Sequence, residues 1–134
     1  MNYQIIDLPK IQDPRGNLSV IEGDIIPFNI KRVYYLYDVP SGAERGGHAH
    51  KKMQQLLVAL SGSFQVILKN ESEKQYITLN NPSKGLLINP GTWREIVDFS
   101  SGAVCLAVVS TTFDEADYIR DFEEFKLYLA NKTK

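Results

Sequence analysis

From residue 31 onward the sequence is a succession of short stretches rich in valine, isoleucine, leucine and tyrosine, each closed by a turn signal. This rhythm restricts the chain to a many-stranded antiparallel sandwich or barrel. Residues 31–39, 54–60, 64–68, 75–79, 85–88, 93–99 and 104–110 have strand length and strand composition. Ser61-Gly62-Ser63 reads as a tight hairpin connection, 70–74 as a polar loop, and Asn80-Asn81-Pro82-Ser83-Lys84 as a turn whose proline no central strand accepts. Neighbouring strands are therefore expected to pair antiparallel. Upstream, 5–8 and 18–21 flank the turn Asp13-Pro14-Arg15-Gly16-Asn17 and read as two edge strands.

Near the C-terminus the period changes. Tyr118, Phe122, Phe125 and Leu129 fall at spacings of three and four, which predicts one apolar stripe on a helix over about 114–130. Asp114, Glu115 and Asp117 suit its first turn, where carboxylates cap free N–H groups and meet the positive end of the dipole. The sequence carries no internal repeat or linker, and 134 residues at 43% hydrophobic suffice for one core, so a single domain over 1–134 is expected.

A formal net charge of -1, with lysine and arginine spread along the chain, provides no global field for nucleic acid, so any anionic partner must be held locally. No segment approaches the roughly 20 apolar residues of a membrane span, and the start Met1-Asn2-Tyr3-Gln4 is not that of a leader, so the cytoplasm is the expected compartment. The one cysteine, Cys105, lies in the apolar run Ala103-Val104-Cys105-Leu106-Ala107 and is expected to be a buried structural thiol.

Both histidines sit in Arg45-Gly46-Gly47-His48-Ala49-His50-Lys51-Lys52. Residues two apart on a strand point to one face, so the two imidazoles are expected to share one space. Three readings are open. The rings are exposed residues on an edge strand; or they are two ligands of a metal, with Glu44 or Glu95 completing a two-histidine, one-carboxylate set; or they are an acid-base pair whose ordinary pKa of about 6.5 suits proton traffic at neutral pH.

The histidine segment, followed by an apolar strand and Ser61-Gly62-Ser63, resembles the sugar-nucleotide 3,4-ketoisomerases of the cupin superfamily. The likeness extends to Asp13-Pro14-Arg15-Gly16, to Ile26-Pro27-Phe28 running into Lys31-Arg32-Val33-Tyr34-Tyr35, to Trp93 with Glu95 and Asp98-Phe99-Ser100, and to Asp117-Tyr118-Ile119-Arg120. The resemblance implies an all-β, cupin-like antiparallel barrel (a jelly roll) with a C-terminal α-helix. It also implies a homodimer, in which the N-terminal strands, about 1–22, exchange between subunits.

The resemblance further implies isomerisation of dTDP-4-keto-6-deoxyglucose to a dTDP-3-keto sugar, galacto-configured at carbon 4, without metal or cofactor. His48 would act as the base at carbon 3 and His50 would shuttle protons between the oxygens on carbons 3 and 4. Two positions depart from the family pattern: Gln54 stands for a glutamate and Arg94 for a histidine, which removes two positions a metal-binding cupin uses and sets an arginine near the pocket mouth or in solvent. A dTDP-sugar brings a pyrophosphate, for which Arg15, Arg32 and Arg45 are the candidates. On 31–39, Arg32, Tyr34 and Leu36 share one face and Val33, Tyr35 and Tyr37 the other. Tyr35 and Tyr37 are the candidates for contact with the sugar nucleotide, and Trp93, beside Pro90-Gly91, is the candidate for stacking on the base. The competing functions are 3,5-epimerisation of the same substrate, sensing of a sugar nucleotide without turnover, and a metal-dependent oxygenase.

Overall fold

In the computed structural model, which describes residues 1–132, the strand-forming stretches become β1 (Tyr3–Asp7), β2 (Lys10–Asp13), β3 (Gly16–Ser19), β4 (Arg32–Leu36), β5 (Arg45–His50) and β6 (Gln55–Ser61). They continue as β7 (Phe64–Lys69), β8 (Lys74–Leu79), β9 (Lys84–Ile88), β10 (Trp93–Val97), β11 (Val104–Val109) and β12 (Tyr118–Ile119), before helix α1 (Phe122–Lys132). One five-stranded sheet has the order β1-β9-β6-β11-β4 and the other β12-β5-β10-β7-β8, while β2 and β3 pair only with each other. Every pairing is antiparallel. This is the expected cupin-like jelly roll with one C-terminal helix.

From β6 to β11 the strand positions agree with the sequence reading, whereas β2 and β12 are strands it did not expect; β2 pairs β3 and β7 pairs β8 in chain order, but the other partners do not follow it. β6 and β7 lie in different sheets, so Ser61-Gly62-Ser63 is a crossover between sheets and not a hairpin. Gly62 has φ of 66°, and a Cβ there would meet Ser100 Oγ at 2.4 Å and Ala103 Cα at 2.9 Å. The crossover therefore needs glycine both for its conformation and for the approach of the 100–103 turn. Gly62→Ala is expected to cost about 2 kcal/mol or more of stability, read as a lowered urea midpoint at unchanged slope.

Three apolar layers explain the burial. Between the sheets, Leu57, Ala59, Phe64, Val66, Leu68, Leu86, Ile88, Ile96 and Ala107 pack into the central core. The outer face of the β6 sheet is covered by Leu8, Ile26 and their neighbours in the N-terminal segment, and that of the β10 sheet by α1. With both faces covered, Gln55–Ala59 is buried without alternation. Cys105 is buried in the central core as expected, and burial pushes its thiol up to about 12, too high for a nucleophile at neutral pH.

The helix begins eight residues later than the stripe predicts. Asp114 caps only a 3-10 turn over Glu115–Asp117, its Oδ1 accepting Ala116 N–H at 3.1 Å. The chain then runs extended through β12, and Asp121 opens α1 by accepting Glu123 N–H on its side chain and Phe125 N–H on its carbonyl. Phe122, Phe125 and Leu129 keep the expected stripe, packed on Trp93 and Ala49. Tyr118 does not belong to it: it pairs with His50 in β12.

Candidate active site

Period-two alternation in β5 sends Gly46, His48 and His50 toward the barrel interior and Gly47 and Ala49 toward Trp93 and the helix. On β10, Arg94 is paired with His48 and turns inward, whereas Trp93 and Glu95 turn outward. From the facing sheet, Arg32, Tyr34 and Leu36 of β4 close a cavity of about 240 Å³, with Arg45, Gly46, His48, Arg94, Tyr118 and Arg120 as the rest of its wall. Among the described residues, four arginines and no carboxylate line it. A larger cleft of about 590 Å³ between 38–41 and 99–102 has no histidine or arginine in its wall.

The two imidazoles meet edge to face, with ring centroids 4.7 Å apart. Tyr118 packs on both, at 4.9 Å from His48 and 4.4 Å from His50. His48 forms part of the cavity wall; His50 lies one layer deeper, behind His48 and Tyr118. Among the described residues, His48 Nε2 and both His50 nitrogens have no hydrogen-bond partner, and His50 Nδ1 stands 3.5 Å from Asp117 Oδ2.

Arg94 is 2% exposed, donates to Tyr34 Oη at 2.9 Å, and has no partner for Nε or Nη1. Gly46 makes its position possible, because a Cβ there would fall 2.2 Å from Nη1. A buried cation with unmet donors is a site shaped for negative charge that arrives with a ligand. Arg32 leans over the Tyr34 ring at 4.7 Å and also has an unpartnered buried Nη1.

Burial and then the charge of Arg94 hold both imidazoles neutral, pushing His48 down to about 2 and His50 down to about 4 against the pull of Asp117. Unfolding frees both rings to take protons below their ordinary 6.5, which the folded state refuses, so stability falls as pH drops from 6.5 toward 4. The slope is expected to reach about 1.4 kcal/mol per pH unit for each ring. Urea unfolding between pH 7 and pH 4.5 measures it; a flat profile would show that the folded rings take up protons over the same range as the unfolded ones.

The FdtA family (WxcM-like, C-terminal) matches residues 1–130. A TDP-4-oxo-6-deoxy-α-D-glucose 3,4-oxoisomerase of Aneurinibacillus thermoaerophilus is 47% identical over 131 residues, 97% of this chain and 94% of that one. The chain belongs to this family of sugar-nucleotide 3,4-ketoisomerases. The structure of QdtA, a sugar 3,4-ketoisomerase from Thermoanaerobacterium thermosaccharolyticum in complex with TDP, superposes with a TM-score of 0.95 at 43% identity, covering 98% of this chain and 96% of QdtA. A 3,4-ketoisomerase from Helicobacter canadensis gives 0.94 at 40% identity, covering 97% and 98%.

In this ketoisomerase, His48, Arg32 and Arg45 meet at one cavity, with His50 just behind. Tyr35 and Tyr37 do not reach it. They are 59% and 60% exposed on the outer face of β4, because the inner face is the one carrying Tyr34. Trp93 is also displaced: it packs on Phe122 and Phe125 and donates Nε1–H to Glu95, on the far side of the sheet from the cavity. Arg15 projects from the β2–β3 hairpin, paired with Asp13, and is absent from the cavity wall. Glu95, held by Lys69 and Trp93 on that outer face, is turned away from the histidines and does not complete a metal set with them.

Besides Leu36 and Gly46, four polar side chains of the wall are not among the expected site residues: Tyr34, Arg94, Tyr118 and Arg120. The alternation of β4 was the available signal for Tyr34. For Arg94 it was the pairing of an outward Trp93 with its inward neighbour.

Proposed function

We propose that the protein isomerises dTDP-4-keto-6-deoxy-D-glucose to the dTDP-3-keto-6-deoxyhexose, with His48 as the base at carbon. The observation that carries this reading is a histidine without a partner on Nε2, set in the wall of a cavity lined by four arginines. The cavity is smaller than the roughly 300–1,000 Å³ common for drug-sized ligands, so it takes the sugar end while the nucleotide lies over its mouth. Arg32, Arg45 and Arg120 then meet the pyrophosphate.

His48 removes the proton from carbon 3, alpha to the ketone, and the electron pair moves into an enediolate across carbons 3 and 4. Arg94, already buried and short of partners, stabilises the negative oxygen without reorganising. His50 takes the proton from the oxygen on carbon 3 and supplies one to the oxygen on carbon 4. The His48 imidazolium, its proton exchangeable with solvent, then delivers a proton to carbon 4, which regenerates the neutral base and leaves the ketone on carbon 3. For His50 to touch the sugar, the Tyr118 ring packed on it has to give way. Imidazoles held neutral are weak bases, but bound pyrophosphate offsets the arginine charge that depresses them, so their proton affinity rises when substrate is present.

The expected product is galacto-configured at carbon 4, an expectation that the family resemblance carries. Incubation with the 4-keto substrate, followed by NMR of the product, tests the reading. A galacto-configured 3-keto sugar is the expected result. A gluco-configured one overturns the configuration alone, and binding without any product overturns the enzymatic role.

The working unit in this proposal is a homodimer. Ile11 and Leu18 face each other across the detached β2–β3 hairpin and both are exposed, as are Val33, Tyr35 and Tyr37 beside the sheet edge at β4. Unpaired strands and exposed apolar patches of this kind favour a second copy, with exchange of the N-terminal strands. Light scattering at micromolar concentration decides it, and a monomer would contradict it.

A further inference from the structure

The carboxylate of Asp117 is nearly buried beside His50, and Asp117 is not part of the cavity wall. Its oxygens are fixed by the chain: Oδ1 accepts Lys52 N–H at 2.7 Å and Oδ2 accepts Met53 N–H at 3.2 Å, while its carbonyl accepts Lys51 N–H at 3.0 Å. Three consecutive amides after His50 thus lock Asp117, and Asp117 in turn locks the end of β5 against β12. Oδ2 stands 3.5 Å from His50 Nδ1, which has no other partner. The ring also packs on His48 and Tyr118, with the positive charges of Arg94 and Arg120 near by.

We propose that Asp117 is a positioning residue that holds His50 in its Nδ1–H tautomer, leaving Nε2 as the proton-accepting nitrogen. A neutral imidazole carries one proton, and which nitrogen keeps it is set by the acceptor nearest each. Here the acceptor is a carboxylate on Nδ1 and nothing on Nε2. A ring in the other tautomer would turn a lone pair toward the carboxylate and a proton toward the sugar oxygen it is meant to relieve. The inference deepens the role given to His50 above and rests on that reading only for its kinetic consequence.

The tautomer is read from the ring nitrogen shifts of uniformly 15N-labelled, substrate-free protein at pH 7. His50 is expected to show protonated Nδ1 and free Nε2; the Nε2–H form, or an even mixture, would overturn the proposal with no variant needed. In Asp117→Asn the preference is expected to be lost. Turnover should fall on the order of 100-fold, with KM for the 4-keto substrate changed less than about threefold. A variant that keeps both the Nδ1–H form and turnover within about twofold of the parent would likewise overturn it. If the parent protein turns over no keto sugar, the proposed function fails while the tautomer result still decides this inference.

Discussion

Replacing His48 with asparagine is expected to lower turnover by about a thousandfold while the protein remains folded, because a positioned base contributes about 10²–10⁴ and no second histidine lines the cavity. Asparagine fills much of the imidazole's volume but takes no proton from carbon. Its folded state should suffer little. The imidazole it replaces has no partner on Nε2, so no hydrogen bond is lost there, and the cost is confined to its ring packing on His50 and Tyr118. Removing one of the two rings that resist protonation should also roughly halve the acid slope described above. Steady-state turnover measured with the urea unfolding curve separates chemistry from stability. A His48→Asn enzyme within tenfold of the parent would show that proton removal belongs elsewhere.

Arg94→Met is expected to move stability and activity in opposite directions. A guanidinium at 2% exposure with a single hydrogen bond, to Tyr34, costs more in desolvation than that bond returns. Methionine keeps the unbranched stem, removes two unpartnered donors, and leaves the space above Gly46 unclashed. A gain of about 1–2 kcal/mol is expected in urea unfolding. Turnover should drop about 100-fold or more, since the cation facing the developing enediolate oxygen is gone. The same loss of charge relieves both imidazoles, so their protonation in the fold should begin at higher pH than in the parent. A destabilised variant with full activity would mean that Arg94 is a structural strut.

The strands were legible because apolar runs and turn residues are local signals, and the common face of His48 and His50 followed from the period of a strand alone. Sheet order was not, since nothing in Ser61-Gly62-Ser63 distinguishes a hairpin from a crossover; the difference lies in the 100–103 turn that Gly62 admits. Alternation also divided β4 correctly into two faces but not into inside and outside, so Tyr35 and Tyr37 were named where Tyr34 does the lining. The same ambiguity made Trp93 the candidate for stacking on the base and put Arg94 at the mouth or in solvent. The helix settles both, because Phe122 and Phe125 claim the Trp93 side of β10 and leave Arg94 to the barrel interior. Tyr118 fell into the helical stripe by spacing, whereas Asp121 caps the helix three residues further on and releases Tyr118 to pack on the histidines.

Exchange at carbon tests the central assignment most directly. In deuterated buffer, the protein acting on dTDP-4-keto-6-deoxyglucose should yield 3-keto product with deuterium at carbon 4 and recovered substrate with deuterium at carbon 3. His48→Asn should place deuterium at neither within the same time. Exchange at carbon 5, or exchange at carbon 3 that persists undiminished in His48→Asn, would contradict a mechanism built on this histidine.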